Sequence, residues 1–172
     1  MKNIKITFES FINEELSPST YLSAADKLKD KGHNKRAEEL RNFSNKNLDD
    51  ELSKIKPINI IVDDINIEIK PEYFTFDISL NKTEHGSIDI NWEIPDLDED
   101  DTYIGQNIYF AYDSENNKII DGPNIDGLLI DNRQSANKIF KMIKDIINIK
   151  VAIQPELELI LTKLTVNDLY ES

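Results

Sequence analysis

Residues 73–95, YFTFDISLNKTEHGSIDINWEIP, constrain the fold more than any other stretch of this sequence. Apolar side chains alternate with polar ones on both sides of NKTEHG, at Phe74, Phe76, Ile78 and Leu80 and then at Ile88, Ile90, Trp92 and Ile94. A period of two is typical of a strand with one buried face. The Gly-containing connection predicts that the two strands form an antiparallel hairpin. Trp92, the only tryptophan, is in register with the isoleucines and is predicted to lie in the core.

Length and composition exclude several classes of protein. A chain of 172 residues fits one domain with a small helical appendage. It contains no cysteine, which excludes disulfides, thiolate nucleophiles and sulfur-ligated metals. No apolar run approaches the roughly 20 residues that span a bilayer, and the N-terminus lacks the apolar stretch of a secretory signal. We therefore expect a protein that neither crosses a membrane nor is secreted by a signal peptide.

The negative charge is concentrated in the middle of the chain. Of the net charge of −13, residues 58–131 alone contribute −15, from 3 basic and 18 acidic side chains, whereas the flanking regions are almost neutral. Such a field repels nucleic acid and anionic membranes and attracts a basic protein partner. Solubility alone is the other interpretation of the same charge.

Residues 17–56 are predicted to form a helical hairpin. Ser17 is a good N-cap, Pro18 suits the first helical position, and Gly32 can end the first helix before Asn34 begins the second. Residues 48–55 suggest a further helical turn or two. The basic residues of this region are interleaved with acidic ones, which favours a solvated helical face over nucleic-acid binding.

Residues 57–172 are predicted to form an acidic, β-rich domain with a C-terminal helix. The alternation changes parity at Asp63-Asp64, which indicates a tight turn between two strands or a bulge in one. Further strands are predicted near 108–112, 118–120 (ending at Asp121-Gly122-Pro123) and 128–130, with an amphipathic helix over 133–148. A last pair of strands is predicted at 151–153 and 157–161. The fold class is therefore α+β, with an antiparallel sheet of about six to eight strands.

The acidic loop after the central hairpin is the candidate for metal binding. Asp96, Asp98 and Asp100 have the one-three-five spacing of a calcium loop, and their oxygen ligands suit calcium. Asp101 stands where an EF-hand requires glycine and Asn107 where it requires glutamate, so an EF-hand is excluded and a looser calcium site is left. The same loop is the candidate partner-binding segment, through Asp96, Asp98, Glu99, Asp100 and Asp101. His33 and His85 lack catalytic neighbours in the sequence, and no residue is nominated as catalytic.

The first 16 residues contain a segment with a recognisable pattern. TFESFINE, residues 7–14, resembles the N-terminal capsid-targeting peptides of internal head proteins of large tailed phages, which run Thr, aromatic, polar, polar, Phe, Ile, small, Glu. Asn13 departs from the pattern. In that family a head protease cuts after Leu/Ile-x-Glu, so the resemblance implies processing at Ile12 and Glu14. The helical region also resembles a Tyr-x-Ser-Ala-Ala…Gly-His-x-x-Arg-Ala module of tailed-phage proteins, which implies no function.

These observations favour a non-catalytic function. We expect a phage accessory protein, in the host cytoplasm or packaged in the virion, that binds a basic protein partner through an acidic sheet surface. A mimic of DNA would be a special case and would need the carboxylates to line one face. Two alternatives are a structural or assembly protein of the virion and a metal-dependent enzyme that uses the acidic loop.

Overall fold

The structure, a computed structural model, describes residues 17–62, 64–80, 86–95, 103–127 and 130–170. The chain divides into two compact units, residues 1–51 and 52–172. The described part of the first unit is helical, whereas the second contains antiparallel sheets followed by helices. This arrangement confirms the predicted α+β fold class.

The helical unit is a pair of helices, α1 (Pro18–Asp30) and α2 (Asn34–Leu52). The side chain of Ser17 accepts a hydrogen bond from the backbone N–H of Thr20, as expected for an N-cap. The short connection uses Gly32 at φ +79°, a conformation that side chains disfavour. The separate helical turns predicted near residues 48–55 are instead mostly part of one long α2.

A small core of its own holds the helical unit together. Its buried residues recur three or four positions apart on each helix, at Tyr21, Ala25, Ala37 and Leu40. The Tyr21 and Phe43 rings meet edge to face with centroids 4.9 Å apart. Ser44, which is fully buried, donates from Oγ to the Pro18 carbonyl at 3.0 Å and so satisfies its hydroxyl. The apolar stripe predicted from the sequence is therefore the packed face.

The second unit contains two antiparallel sheets in its described residues. The strands are β1 (Ile58–Val62), β2 (Ile65–Ile69), β3 (Phe74–Leu80), β4 (Gly86–Pro95), β5 (Tyr103–Asp113) and β6 (Lys118–Gly127). The first two form a two-stranded sheet, and the others form a four-stranded sheet in the order β3-β4-β5-β6. Val62 pairs with Ile65, so the parity change between them is a tight turn rather than a bulge.

The predicted central hairpin is confirmed, and the structure gives its register. Phe74 lies opposite Trp92, Phe76 opposite Ile90 and Ile78 opposite Ile88. The Phe74 and Trp92 rings are nearly parallel, with centroids 5.9 Å apart. Apolar side chains that face one another across two strands bury one face of the sheet together.

One long helix covers the buried face of the β unit. Helix α3 (Arg133–Lys150) is capped by Asn132, whose side-chain oxygen accepts from the Gln134 and Ser135 N–H groups. Its buried residues belong to the same core as the sheet: Ala136, Ile139, Met142, Ile143, Ile146 and Ile147. Ser135 also exchanges two hydrogen bonds with the backbone of Ile61 on β1, at 2.9 and 3.2 Å. The helix thereby satisfies backbone groups of β1 that a free edge would expose.

The prediction of a last pair of strands, at residues 151–153 and 157–161, was wrong. After α3 the chain forms a 3-10 turn (Pro155–Leu157) and a short helix, α4 (Glu158–Lys163). The buried residues there are Leu157, Ile160 and Leu164, which are three and four apart as on a helix. The leucines at 157, 159 and 161 alternate as in a strand, but the residues that are buried against the core have the helical spacing. The capping box predicted at Thr165 and Asp168 is present.

The predicted end of β6 was also wrong. The strand continues through Gly122 and Pro123 to Gly127. Its pairing with β5 shifts register on both sides of Ala111. Ile120 is an extra residue between Ile119, opposite Tyr112, and Asp121, opposite Ala111. Gly122 and Pro123 together stand against the single residue Phe110. The Gly-Pro pair therefore lies within an irregular edge strand, where a missing N–H is tolerated.

Candidate functional site

The four-stranded sheet has a second face that does not belong to the core. Because successive residues of a strand point to opposite sides, the neighbours of buried Ile88, Ile90 and Trp92 point away from the core. The register aligns them in three rows across the strands: Thr75–Asn91–Asn107–Asp126, Asp77–Asp89–Tyr109–Asn124 and Ser79–Ser87–Ala111–Asp121. We call these residues, together with Glu93, the outer face. All of them are exposed or half-buried.

The charge of the outer face has a single sign. Five of its side chains are carboxylates and none is lysine or arginine: Asp77, Asp89, Glu93, Asp121 and Asp126. Its other members are hydroxyls, amides, one alanine and Tyr109. Lys118 lies opposite Asp113, at the end of the β5–β6 ladder and beyond the three rows. Five of the 18 acidic residues of the middle region therefore share one side of the sheet.

Two carboxylates of the outer face lie directly opposite one another. Asp77 on β3 pairs in register with Asp89 on β4. Like charges directly opposite on neighbouring antiparallel strands are destabilising. Ser87 donates from Oγ to Asp89 Oδ2 at 3.0 Å, which compensates one of the two groups in part. A neutral pair at these positions would avoid the repulsion, so the Asp77–Asp89 pair lowers the stability of the sheet.

Tyr109 stands in the middle of the acidic rows. It lies between Asp89 on β4 and Asn124 on β6, and 39% of it is exposed. Tyrosine is enriched at protein interfaces and among the residues that dominate their energetics. An aromatic ring surrounded by carboxylates also suits an approaching cation.

A recess opens at one end of the outer face, with a volume of about 370 Å³. Its walls come from the neighbouring strands β4, β5 and β6: Asn91, Trp92, Glu93, Gln106, Asn107, Asp126 and Gly127. Trp92 donates from Nε1 to Gln106 Oε1 at 2.9 Å, a bond that is fully buried and fixes that part of the wall. Asn107 Oδ1 is also buried, and it has no hydrogen-bond partner among the residues that the structure describes. A buried acceptor left without a donor costs about 1–3 kcal/mol.

The shifted pKa values of Tyr112 and Asp113 have a structural explanation. The carboxylate of Asp113 accepts hydrogen bonds from the Asn116 side chain and from the backbone N–H groups of Asn116 and Glu115, and these hold its pKa below the usual range. Burial, followed by the negative charges of Glu156 and Asp113, raises the pKa of Tyr112. Tyr112 Oη also donates to Asn117 Oδ1 at 2.6 Å. The hydrogen bonds of Asp113 and Tyr112 stabilise the β5–β6 turn.

All of the site residues proposed from the sequence lie outside the described ranges. These are the loop carboxylates Asp96, Asp98, Glu99, Asp100 and Asp101 and the processing residues Ile12 and Glu14. Within the residues that the structure describes, no group of three or more His, Asp or Glu side chains is arranged to hold a metal ion. His33 is exposed in the turn between α1 and α2. The calcium prediction and the processing prediction therefore stay predictions.

Sequence reasoning missed the residues that form the outer face. The signal that could have found several of them is the alternation used for the hairpin, because the polar positions between the apolar ones include Asp77, Asp89 and Asn91. Asn107 and Asp126 join them only through the pairing of β4 with β5 and β5 with β6.

Comparison with known families, with curated proteins and with solved structures finds no match to this chain. Among the described residues, no helix combines the length and apolar character that crossing a membrane requires.

Proposed function

We propose that this protein has a non-catalytic function and binds a basic protein partner through the outer face. The observation that carries the proposal is the set of five carboxylates on the outer face, whose three described rows and Glu93 contain no lysine or arginine. The opposed pair of Asp77 and Asp89 adds to it, because charge retained at a cost in stability is expected where binding requires it.

The sign of the charge decides the class of partner. Nucleic acids and anionic lipid surfaces are repelled by such a face, whereas lysine- and arginine-rich protein segments are attracted and steered to it. Exposed Tyr109 supplies an apolar and aromatic contact within the charged rows. The acidic segment Asp96–Asp101 connects β4 to β5 in the sequence, and we include its carboxylates in the proposed binding surface.

Neutralising the outer face is expected to weaken binding of a basic probe. The variant Asp77→Asn/Asp89→Asn/Asp126→Asn should bind an octapeptide of alternating lysine and arginine roughly tenfold more weakly, at a few tenths of a kcal/mol or more for each exposed charge. Its free energy of unfolding should be unchanged or slightly higher, because the Asp77–Asp89 repulsion is removed. Isothermal titration calorimetry at two ionic strengths measures the affinity, which should fall as salt rises.

The matched control removes the same number of charges from the helical unit. Asp30, Glu38 and Glu39 are exposed on α1 and α2. The variant Asp30→Asn/Glu38→Gln/Glu39→Gln should retain most of the affinity for the octapeptide. Equal losses in the two triple variants would show that net charge, and not the outer face, attracts the peptide.

The resemblance of residues 7–14 to capsid-targeting peptides supports packaging of the protein in a phage head. Under this proposal the protein recovered from its native source begins at Glu15, because cleavage follows Glu14. Intact mass spectrometry measures this directly. A Glu14→Ala variant should keep its N-terminal segment under the same conditions. Native protein that begins at Met1 or Lys2 would contradict the packaging proposal and leave the binding proposal untouched.

A further inference from the structure

The recess at the end of the outer face contains an unsatisfied acceptor. Asn107 Oδ1 is buried, and no group in the described part of the chain forms a hydrogen bond with it. In native proteins the great majority of buried polar groups are paired, so an unpaired one calls for an explanation. The missing group must be a hydrogen-bond donor, because a side-chain amide oxygen only accepts.

The neighbours of Asn107 specify the charge of that donor. Asn91 and Asp126 are its register partners on β4 and β6, and Glu93 lies two residues beyond Asn91 on the same side of β4. All of them line the recess. The polar lining thus offers two carboxylates and several amide oxygens, and it contains no lysine or arginine. A cationic donor fits these walls.

We propose that the recess binds the guanidinium group of an arginine side chain from the basic partner. This inference rests on the proposed function and adds one chemical requirement to it. A guanidinium carries five N–H donors in a rigid plane and accepts none, whereas the ammonium of lysine is a compact point charge. Acceptors spread over three strands, each about 4.8 Å from the next, are matched by a planar fork of donors better than by a point.

A bare metal ion fits the recess less well. Calcium requires six to eight oxygens at about 2.3–2.6 Å, whereas the described lining of the recess has two carboxylates, Glu93 and Asp126, on strands β4 and β6 with β5 between them. The described residues contain no group of three or more side chains suited to a metal.

The experiment compares tetra-arginine with tetra-lysine peptides by isothermal titration calorimetry. The intact protein should bind tetra-arginine about tenfold more tightly, because charge-assisted, bidentate bonds are stronger than single ones. The variant Asn107→Leu, which removes the buried acceptor, should lose this preference and keep its affinity for tetra-lysine. Nuclear magnetic resonance should show the side-chain amide of Asn107 shifting with tetra-arginine and less with tetra-lysine.

Two further variants complete the test. Asn124→Leu is the matched control, because Asn124 belongs to the outer face but does not line the recess; it should keep the arginine preference. Asn107→Asp retains the shape of the side chain and adds a negative charge, so it should tighten the binding of tetra-arginine by a larger factor than the binding of tetra-lysine. This second variant keeps the test decisive if Asn107→Leu folds poorly.

The outcomes separate the two proposals. Equal affinity of the native protein for both peptides, or a preference that survives Asn107→Leu, would overturn the arginine site and leave the outer face as a general basic-partner surface. A water molecule on Asn107 would give that result. Failure of both peptides to bind would overturn the arginine site and the proposed function together.

Discussion

Replacing Trp92 with alanine is expected to lower the free energy of unfolding of the β unit by about 3–5 kcal/mol. The indole is completely buried, stacks on Phe74 and donates to Gln106, so its loss removes apolar packing and a buried hydrogen bond together. Denaturant unfolding followed by circular dichroism measures the effect, since the variant has no tryptophan fluorescence. Tyr109→Ala is the matched control, because that ring is 39% exposed and should cost much less.

A second pair of variants separates packing from hydrogen bonding at this position. Trp92→Phe keeps most of the apolar contact but removes the donor to Gln106, and it should cost about 1–3 kcal/mol. Adding Gln106→Leu, which removes the acceptor as well, should recover part of that loss because replacing both partners with apolar groups is nearly neutral. If the double variant were less stable than Trp92→Phe by the full additive amount, the two side chains would not be coupled.

The central hairpin could be predicted from the sequence because its signal is local. Each strand alternates without interruption, and the connection is short, so pairing of neighbouring strands is the simplest arrangement. The buried side of Trp92 followed from the same alternation. The helical hairpin was equally readable, since Ser17, Pro18 and Gly32 mark its ends.

The C-terminal region could not be read in the same way. Alternating leucines at 157, 159 and 161 are compatible with a strand, yet a strand also needs a partner strand. The edge of the described two-stranded sheet next to α3 is instead engaged by Ser135 at Ile61. Burial of Leu157, Ile160 and Leu164 in the core decides in favour of helix. The outcome depends on tertiary contacts, which cannot be deduced from a short apolar pattern.

The outer face could not be predicted from the sequence for a related reason. The sequence shows that the middle region is acidic, and attention falls on the unbroken run Asp98–Asp101 because it is contiguous. The carboxylates that share the sheet surface are separated by up to 49 positions, from Asp77 to Asp126, and only strand order brings them together. Periodicity assigns each residue to a face of its own strand, whereas register assigns it to a row.

Gly122 allows the edge strand β6, which contributes Asp121, Asn124 and Asp126 to the outer face, to pack closely on β5. Gly122→Ala is therefore expected to lower the free energy of unfolding strongly. Its φ of +104° is disfavoured for a side chain, and an added Cβ would lie 2.9 Å from the Tyr109 carbonyl oxygen and 3.1 Å from Phe110 Cα. Backbone strain and overpacking each cost about 1–3 kcal/mol, so we expect a total of about 3 kcal/mol. Denaturant unfolding followed by the fluorescence of buried Trp92 measures it in the β unit.

Gly32→Ala provides the comparison that isolates the close approach. Gly32 also has a positive φ, at +79°, but an added Cβ would meet nothing within 4 Å. Its cost should be limited to about 1–2 kcal/mol of backbone strain, measured on the helical unit by circular dichroism.

Gly122→Ala should also weaken binding of basic peptides, because a displaced β6 moves Asp121, Asn124 and Asp126 out of their rows. Equal costs for the two variants would mean that β6 does not pack on the β5 backbone as closely as the structure shows, and binding would then be unaffected.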